Sequence, residues 1–304
     1  MGRIVILPAF FSHLNLENLS LIRIFAPMKQ VRPKKNLGQH FLTDLNIAKR
    51  IADTVDEPYA ELPVLEVGPG MGVMTQYLVE KPRPLKVVEI DKESVAYLKA
   101  TLFKESLTSH PSPLTPIIEG DFLRMDLREV FDGQQFVLTG NYPYDISSQI
   151  FFKMLDNKDL IPCCTGMIQH EVALRIASQP GNKQYGILSV LIQAWYHVEY
   201  LFQVEPGVFN PPPKVQSAVI RMTRNEVTDL GCDEQLFRRV VKTVFNQRRK
   251  MLRVSLKQIL SDAQLSTLNS NFSDLLTRRP EQLSIPEFVD LTNKVEKVLL
   301  SSTI

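Results

Sequence analysis

Residues 63–72 have the sequence Pro63-Val64-Leu65-Glu66-Val67-Gly68-Pro69-Gly70-Met71-Gly72. Its apolar first half predicts a buried strand over Pro63–Val67, and the pattern that follows predicts a helix over Met71–Glu80. Glycines at alternate positions between them let the backbone turn sharply and approach a ligand closely. The spacing is G-x-G-x-G rather than the G-x-G-x-x-G of dinucleotide sites, and Glu66 stands two residues before the first glycine. The stretch therefore predicts an α/β fold with a ligand-binding loop.

Strand and helix patterns alternate outward from this loop, between about residues 44 and 222. The predicted strands are Pro63–Val67, Leu85–Ile90, Pro116–Ile118, Phe136–Thr139, Cys163–Ile168, Val198–Val204 and Val215–Met222. The predicted helices are Leu45–Val55, Met71–Glu80, Ser94–Phe103, Ser147–Leu155, Glu171–Ser178 and Tyr185–Trp195. Such alternation implies right-handed crossovers and a mostly parallel sheet covered on both faces, closed by an antiparallel strand pair.

Strand signals stop after about residue 225, and the spans 233–245, 249–260, 264–276 and 285–300 all have helical patterns. We expect a domain boundary near residues 223–232. The chain then divides into an extension without a predicted role (1–27), an α/β catalytic domain (28–225) and a small all-helical domain (226–304). Met28 is an alternative start, because the fold signals begin only after it.

Composition excludes some classes of protein and favours one kind of partner. The 304 residues include three cysteines, with no C-x-x-C pair, so neither a disulfide framework nor a zinc site is expected, and a reducing compartment fits. No segment is apolar enough to span a bilayer. The net charge is only +2, yet eight Lys or Arg residues and no acid lie between Gln235 and Ser261. That cluster indicates either contact with a polyanion or a solvated helix face.

Acids follow two further predicted strands. Glu89 ends the second strand, where a carboxylate can accept hydrogen bonds from both hydroxyls of a ribose; NAD and S-adenosylmethionine sites share this feature. Asp91, its neighbour, is expected to cap the next helix. Asp121, after the third strand, can accept from an adenine amine while Phe122 or Ile90 packs on the ring, although a loop or cap role is the alternative. These residues predict an adenosine-type ligand.

The tetrapeptide Asn141-Tyr142-Pro143-Tyr144 follows the fourth strand and carries more specific chemistry. The exocyclic amine of adenine is a poor nucleophile because its lone pair is delocalised into the ring. Two acceptors on its hydrogens, the Asn141 side-chain carbonyl and the Pro143 backbone carbonyl, favour a pyramidal nitrogen. Tyr144 can stack on an extruded base, a contact worth roughly 1–3 kcal/mol. The alternative is a proline turn with two packed tyrosines.

Taken together, these motifs resemble the ribosomal RNA adenine dimethylases over roughly residues 30–300. The resemblance is carried by Asn36–Leu42 (NLGQHFL), Glu66–Gly72, Glu89, Asp121, Asn141–Tyr144, Phe209–Ser217 (F-x-P-x-P-x-V-x-S) and Phe245–Arg253 (FNQRRKMLR). The fit is to the small-subunit (16S-type) N(6),N(6)-dimethyltransferases. Two departures occur, since His40 stands where many members have Asn, and Tyr142 where many have Leu.

The resemblance implies a class I (Rossmann-like) methyltransferase fold with a small C-terminal helical domain. It implies S-adenosylmethionine as methyl donor, held by His40, Leu42, Glu66, Gly68, Gly70, Glu89, Asp121 and Asn141. Catalytic roles fall to Asn141, Pro143, Tyr144 and Phe209, the last closing the opposite face of the base, and no metal is implied. Arg248, Arg249, Lys250 and Arg253 are expected to bind RNA, on a stretch that is largely helical and places Arg249 and Arg253 on one face.

The implied activity is dimethylation of adenosines, two adjacent ones in the 3′-terminal hairpin loop of small-subunit rRNA, during ribosome biogenesis. The implied partner is that rRNA within a pre-ribosomal particle, and the implied state is a cytoplasmic monomer without a membrane association. Three alternatives remain: a large-subunit rRNA methylase of the antibiotic-resistance type, a non-catalytic ribosome-assembly factor, and a nicotinamide oxidoreductase. For the basic residues, intramolecular ion pairs with the catalytic domain are the alternative to RNA contacts.

Overall fold

A computed structural model describes residues 31–34, 37–102 and 117–301 of the chain. Nine strands are present in this part: β1 (Phe41–Leu42), β2 (Val64–Val67), β3 (Leu85–Glu89), β4 (Ile117–Glu119), β5 (Val137–Asn141), β6 (Cys163–Gln169), β7 (Tyr196–Val204), β8 (Phe209–Asn210) and β9 (Ser217–Arg224). Ten α-helices accompany them: α1 (Leu45–Asp53), α2 (Thr75–Leu78), α3 (Lys92–Thr101), α4 (Ser147–Asp156), α5 (His170–Ala177), α6 (Ile187–Gln193), α7 (Glu234–Asn246), α8 (Leu252–Ser255), α9 (Asp262–Thr277) and α10 (Ile285–Ser301). The predicted extension 1–27, Asn36, Phe103 and Pro116 lie outside the described residues.

Seven strands form one sheet in the order β4-β3-β2-β5-β6-β9-β7, and β1 pairs with β8 in a separate two-stranded sheet. Strands β2 to β6 are parallel, whereas β9 runs antiparallel to both of its neighbours. The predicted α/β fold with a mostly parallel sheet and a closing antiparallel pair is confirmed. Parallel strands end at the same edge, so their carboxyl ends define the face on which a ligand site is expected.

Local sequence accounts for the elements nearest that edge. The side chain of Asp44 caps α1 by accepting from the amides of Asn46 and Ile47, while Ala48, Ile51 and Ala52 are buried at helical spacing. Every residue of β2 is buried, as a strand in the middle of a parallel sheet requires.

Three predicted helices are shorter than their patterns suggested. The span Met71–Glu80 is helical only over Thr75–Leu78, because the glycine loop continues past Gly72, whose φ of +78° is incompatible with a right-handed helix. Tyr185–Trp195 is helical over Ile187–Gln193. The span 249–260 is only α8 followed by a 3-10 turn, since residues 247–250 form a turn that the Lys250 amide closes on the Gln247 carbonyl.

The C-terminal helices share a hydrophobic core with the sheet. One continuous cluster of buried residues extends from Leu65 through Trp195 and Phe237 to Val298, so α7 packs directly on the α/β part. The Glu234 carboxylate also pairs with Lys158, 2.9 Å away. Among the described helices, none has the length and apolar character needed to cross a membrane.

Candidate active site

A cavity of about 270 Å³ opens at the carboxyl ends of β2, β3 and β5. All eight residues predicted to hold the cofactor line it, together with Pro143 and Tyr144: His40, Leu42, Glu66, Gly68, Gly70, Glu89, Asp121 and Asn141. The topology explains this convergence, because side chains that follow parallel strands meet at one edge of the sheet.

The glycine-rich loop forms one wall of the cavity. Gly68 has a φ of +68°, a left-handed conformation that other residues adopt only with strain. A Cβ atom on Gly72 would lie 2.3 Å from the Leu102 side chain and 2.9 Å from the Leu98 side chain, so these two leucines would have to shift to accommodate a side chain here. The loop thus needs glycine both for its turn and for its packing.

Glu89 is the buried carboxylate at the end of β3. One oxygen accepts from the Gly70 amide at 3.0 Å and the other from the Asp91 amide at 2.9 Å. Burial raises the pKa of Glu89, and these two backbone donors act against that rise. The contacts fix the carboxylate where the loop and the strand end meet, and each oxygen keeps a lone pair for a hydroxyl group of a ligand.

Glu66 is a second buried carboxylate in the wall of the cavity. It accepts from the Thr75 hydroxyl at 2.7 Å, and desolvation raises its pKa to about 8. The Glu89 carboxylate nearby adds to this rise. Near neutral pH the side chain is therefore mainly protonated unless a cation is bound next to it.

Apolar and polar groups beyond β3 and β4 suit a purine ring. Ile90 lies in the cavity wall with 52% of its surface exposed, whereas Phe122 is only 4% exposed. Ile90 is therefore the better placed of the two to pack on a ring. Asp121 accepts from the Leu123 amide at 2.9 Å and lies 3.5 Å from Arg124, so it has the local loop role considered above as well as its place in the cavity.

Asn141 is the last residue of β5, and its amide group is oriented by the chain itself. The Nδ2 group donates to the His40 carbonyl at 3.3 Å, which leaves the Oδ1 acceptor without a partner among the described residues. The Pro143 carbonyl accepts from the Ile146 amide at 3.2 Å and retains a second lone pair. Both acceptors proposed for an amine are thus available.

The two tyrosines of the tetrapeptide have different surroundings. Tyr142 is fully buried, and its hydroxyl donates to the Thr165 carbonyl at 3.0 Å, so this departure from the usual Leu is accommodated in the core. Tyr144 lines the cavity, stacks on the His40 ring with centroids 5.7 Å apart, and has its hydroxyl 2.5 Å from Ser217. Only Tyr144 is placed to contact a base.

Phe209 does not reach the cavity, contrary to the expectation that it closes the opposite face of the base. It pairs with Leu42 across the β1–β8 ladder and is 4% exposed. Its side chain belongs to a core cluster that includes Val204 and Val219. The pairing of β8 with β1 turns the ring into that cluster.

Comparisons with known proteins bear on the identity of this site. The sequence model of the family described as ribosomal RNA adenine dimethylase matches residues 30–297. A Bacteroides thetaiotaomicron protein named ribosomal RNA small subunit methyltransferase A is 65% identical over 277 residues, which are 91% of this chain and 98% of that protein. The Porphyromonas gingivalis protein of the same name is 55% identical over 266 residues, covering 87% of this chain and 98% of that one.

The chain belongs to the ribosomal RNA adenine dimethylase family.

Solved structures agree with this family at the level of the fold. A dimethyladenosine transferase from Plasmodium falciparum is similar with a TM-score of 0.69 at 23% identity, over 85% of this chain and 98% of that one. The 23S rRNA methyltransferase ErmE is similar with a TM-score of 0.61 at 24% identity, over 84% and 99% of the two chains. The class I methyltransferase fold predicted from the sequence is therefore confirmed.

Three of the basic residues of this dimethylase, Arg248, Arg249 and Lys250, lie on the turn between α7 and α8, and Arg253 lies in α8 itself. Arg249, Lys250 and Arg253 are exposed, and Arg248 donates to the Lys183 carbonyl at 2.7 Å. Arg249 precedes α8, so the expected shared helix face with Arg253 is wrong; the turn at 247–250 separates them. Within the part of the chain that the structure describes, these four residues form no ion pair, although Arg238 pairs with Asp156 and Lys257 with Asp262.

The segment before β1 contacts the N-terminus of α3. The sequence pattern did not predict these contacts. The Lys34 ammonium lies 2.5 Å from the Asp91 carboxylate, which also accepts from Gln39 at 3.4 Å. Asp91 caps α3 as expected, through the Glu93 amide, so one side chain serves both purposes. Five basic residues and no acid lie between Asn18 and Thr43, but spacing alone does not show that Asp91 is the partner of Lys34.

Proposed function

We propose that this chain transfers methyl groups from S-adenosylmethionine to the exocyclic amine of adenosines in small-subunit rRNA, giving N6,N6-dimethyladenosine. The observation that carries the proposal is Asn141 Oδ1, which has no partner among the described residues and belongs to a residue that lines the same cavity as Glu89. One group can accept from a target amine while the other holds the ribose of a cofactor. The names of the relatives support the choice of small-subunit rRNA.

The residues of the cavity fit S-adenosylmethionine. Glu89 is fixed to receive ribose hydroxyls, Ile90 presents an apolar face to the adenine, and Asp121 is available for its amine. The loop at Gly68 and Gly70 leaves room for the backbone to approach the amino-acid part, beside the Glu66 carboxyl. When bound, the cofactor supplies a methyl group on a sulfonium.

The chain's own residues would prepare the adenine for that methyl group. Asn141 Oδ1 and the Pro143 carbonyl hold the two amine hydrogens, and this favours a pyramidal nitrogen with an exposed lone pair. The extruded base stacks on the ring of Tyr144. No strong base is required before transfer, because the amine becomes acidic only once it is alkylated, and alignment supplies the rest of the rate.

The finer assignment extends to the target and its setting. The proposed target is a pair of adjacent adenosines in the 3′-terminal hairpin loop, where a loop base costs less to extrude than a paired one. The exposed Arg249, Lys250 and Arg253, with Arg248, would hold rRNA phosphates of a pre-ribosomal particle. A cytoplasmic monomer is the proposed state.

Methyl transfer to isolated small ribosomal subunits tests the proposal. Subunits that lack the modification should accept label from S-adenosylmethionine, and large subunits should not. Asn141→Ala should retain the fold, by circular dichroism, but lose roughly 100-fold or more in turnover, comparable to removal of one preorganised polar group from an active site. Near-normal turnover by Asn141→Ala would rule out the proposed role of the tetrapeptide, and label only in large subunits would rule out the substrate.

A further inference from the structure

Tyr144 is held at the tip of its side chain as well as at its backbone. Its hydroxyl lies 2.5 Å from the Ser217 hydroxyl, and these residues are 73 positions apart in the sequence. The His40 ring lies against the Tyr144 ring, with 26° between the two planes. A tyrosine that served only as a flat surface would need neither contact.

Ser217 is a rigid anchor. It is fully buried and is the first residue of β9, which pairs with β6 on one side and β7 on the other. In these ladders it lies opposite Gln169 and Val204. Its position is therefore set by the sheet rather than by a loop.

The same segment of chain also anchors the His40 ring. The Nδ1 atom of His40 lies 2.8 Å from the Pro211 carbonyl, and because a carbonyl only accepts, this nitrogen carries the proton. The backbone carbonyl of His40 accepts from the side-chain Nδ2 of Asn141. Residues 209–217 thus contact both aromatic rings, and both rings belong to residues that line the same cavity as Asn141.

We propose that Ser217 is a positioning residue, which sets the orientation of the Tyr144 ring so that a stacked adenine presents its amine to Asn141 Oδ1. The inference rests on the proposed function. Without the Ser217 contact the phenol ring can tilt about its side-chain bonds, and the base on it tilts too. Because the methyl group must meet the nitrogen in line, a small tilt lowers the rate without weakening the binding of the cofactor.

This role explains the run Phe209–Ser217 although Phe209 is buried in the core and does not line the cavity. The run contributes Ser217, which holds the Tyr144 ring, rather than an aromatic ring that itself contacts the base. It also assigns the Tyr144 hydroxyl to a structural hydrogen bond, so that the ring, and not the phenol proton, serves the base.

A double-mutant cycle tests the inference. Ser217→Ala and Tyr144→Phe each remove one partner of the same hydrogen bond, and each should lower kcat about three- to tenfold on unmodified small subunits, as expected for one hydrogen bond. The double variant should be no slower than the slower single variant. The cofactor dissociation constant, measured by calorimetry, should stay unchanged in all three.

Thr139→Val is the matched control. Thr139 is also fully buried in the sheet, but within the described residues its hydroxyl has no hydrogen-bond partner. The kcat of Thr139→Val should equal that of the wild type. If Ser217→Ala fails to fold, Tyr144→Phe still removes the same bond without touching β9.

Each outcome of the double-mutant cycle either supports or overturns the positioning role of Ser217. An unchanged kcat for the folded single variants, or a double variant as slow as the product of the two single effects, would overturn the role of Ser217 while leaving the proposed function intact. A wild-type chain that transfers no methyl group to the subunits would instead overturn the proposed function, and the inference with it.

Discussion

At the scale of single residues, Glu89 ends β3, contacts the glycine-rich loop and forms part of the proposed ribose site. Its carboxylate is already held by two backbone amides, so it is oriented before any ligand binds. Preorganisation of this kind lowers the cost of binding, because no side chain has to be immobilised afterwards. The same contacts mean that its loss would affect the Gly70 loop as well as the ligand.

We expect Glu89→Ala to weaken the binding of S-adenosylmethionine by at least about tenfold, since hydrogen bonds to a charged group contribute about 1.5–3 kcal/mol each. Isothermal titration calorimetry measures the change. Glu119→Ala is the control, because Glu119 ends the neighbouring strand β4 but is exposed and does not line the cavity. Equal affinities for the wild type and Glu89→Ala would contradict the proposed cofactor site.

Glu66 makes the stability of the cofactor-free protein depend on pH. Its pKa is about 8 in the fold, against an ordinary value of 4.5. Between these values the folded chain keeps a proton that the unfolded chain has released, so this group's contribution to stability falls as the pH rises. A neutral side chain of the same shape avoids that loss.

The melting temperature of Glu66→Gln should therefore exceed that of the wild type by an amount that grows as the pH is raised from 5 to 8. Thermal melts across that range without cofactor provide the measurement. Glu61→Gln, an exposed acid just before β2, should melt like the wild type at each pH. A gain for Glu66→Gln that does not vary with pH would show that Glu66 is ionised in the fold.

At the scale of elements, the basic turn between α7 and α8 differs from the helix that the sequence pattern indicated. Like charges on one helix face repel each other, whereas here Arg249 and Lys250 lie on a turn and Arg253 lies in α8, and all three are exposed. The intramolecular ion pairs considered as the alternative do not occur for these residues within the described ranges. The arrangement supports their proposed contact with phosphates.

Reversing two of these charges should alter the salt dependence of RNA binding. For Arg248→Glu with Arg249→Glu, the slope of log affinity against log salt should flatten by about 1–2, because each phosphate contact releases a counterion. Cofactor affinity should be unchanged. The control, Lys49→Glu with Lys99→Glu, makes the same change of charge on α1 and α3. A wild-type slope in the first variant would contradict an RNA-binding role for the turn.

The elements around the cavity were predictable because their signals are local. Glu66, Glu89 and Asn141 each follow a short apolar run, and parallel topology alone brings the ends of such runs together. The anchor of Tyr144 was not predictable in this way, since Ser217 comes from an antiparallel strand 73 residues away. The burial of Phe209 was not predictable for a similar reason: nothing in its neighbourhood shows that β8 pairs with β1.

At the scale of the whole molecule, the helical part is fixed to the α/β part rather than tethered to it. The shared core runs from Leu65 to Val298, and the Gly181 amide donates to the Glu281 carbonyl at 2.7 Å. Arg248 adds its bond to the Lys183 carbonyl. The basic turn is thus joined by packing and hydrogen bonds to the part of the molecule that contains the cavity, which suits the proposal that one surface holds rRNA while another modifies a base.

Mass spectrometry of nucleosides from the rRNA of cells with and without this chain is the most direct test of the proposed dimethylation of small-subunit rRNA. We expect N6,N6-dimethyladenosine in small-subunit rRNA from cells that contain the wild-type chain, its absence when the chain is deleted, and no recovery when Asn141→Ala is supplied in its place. Identical levels of dimethyladenosine in small-subunit rRNA with and without the chain, or a difference confined to large-subunit rRNA, would contradict it.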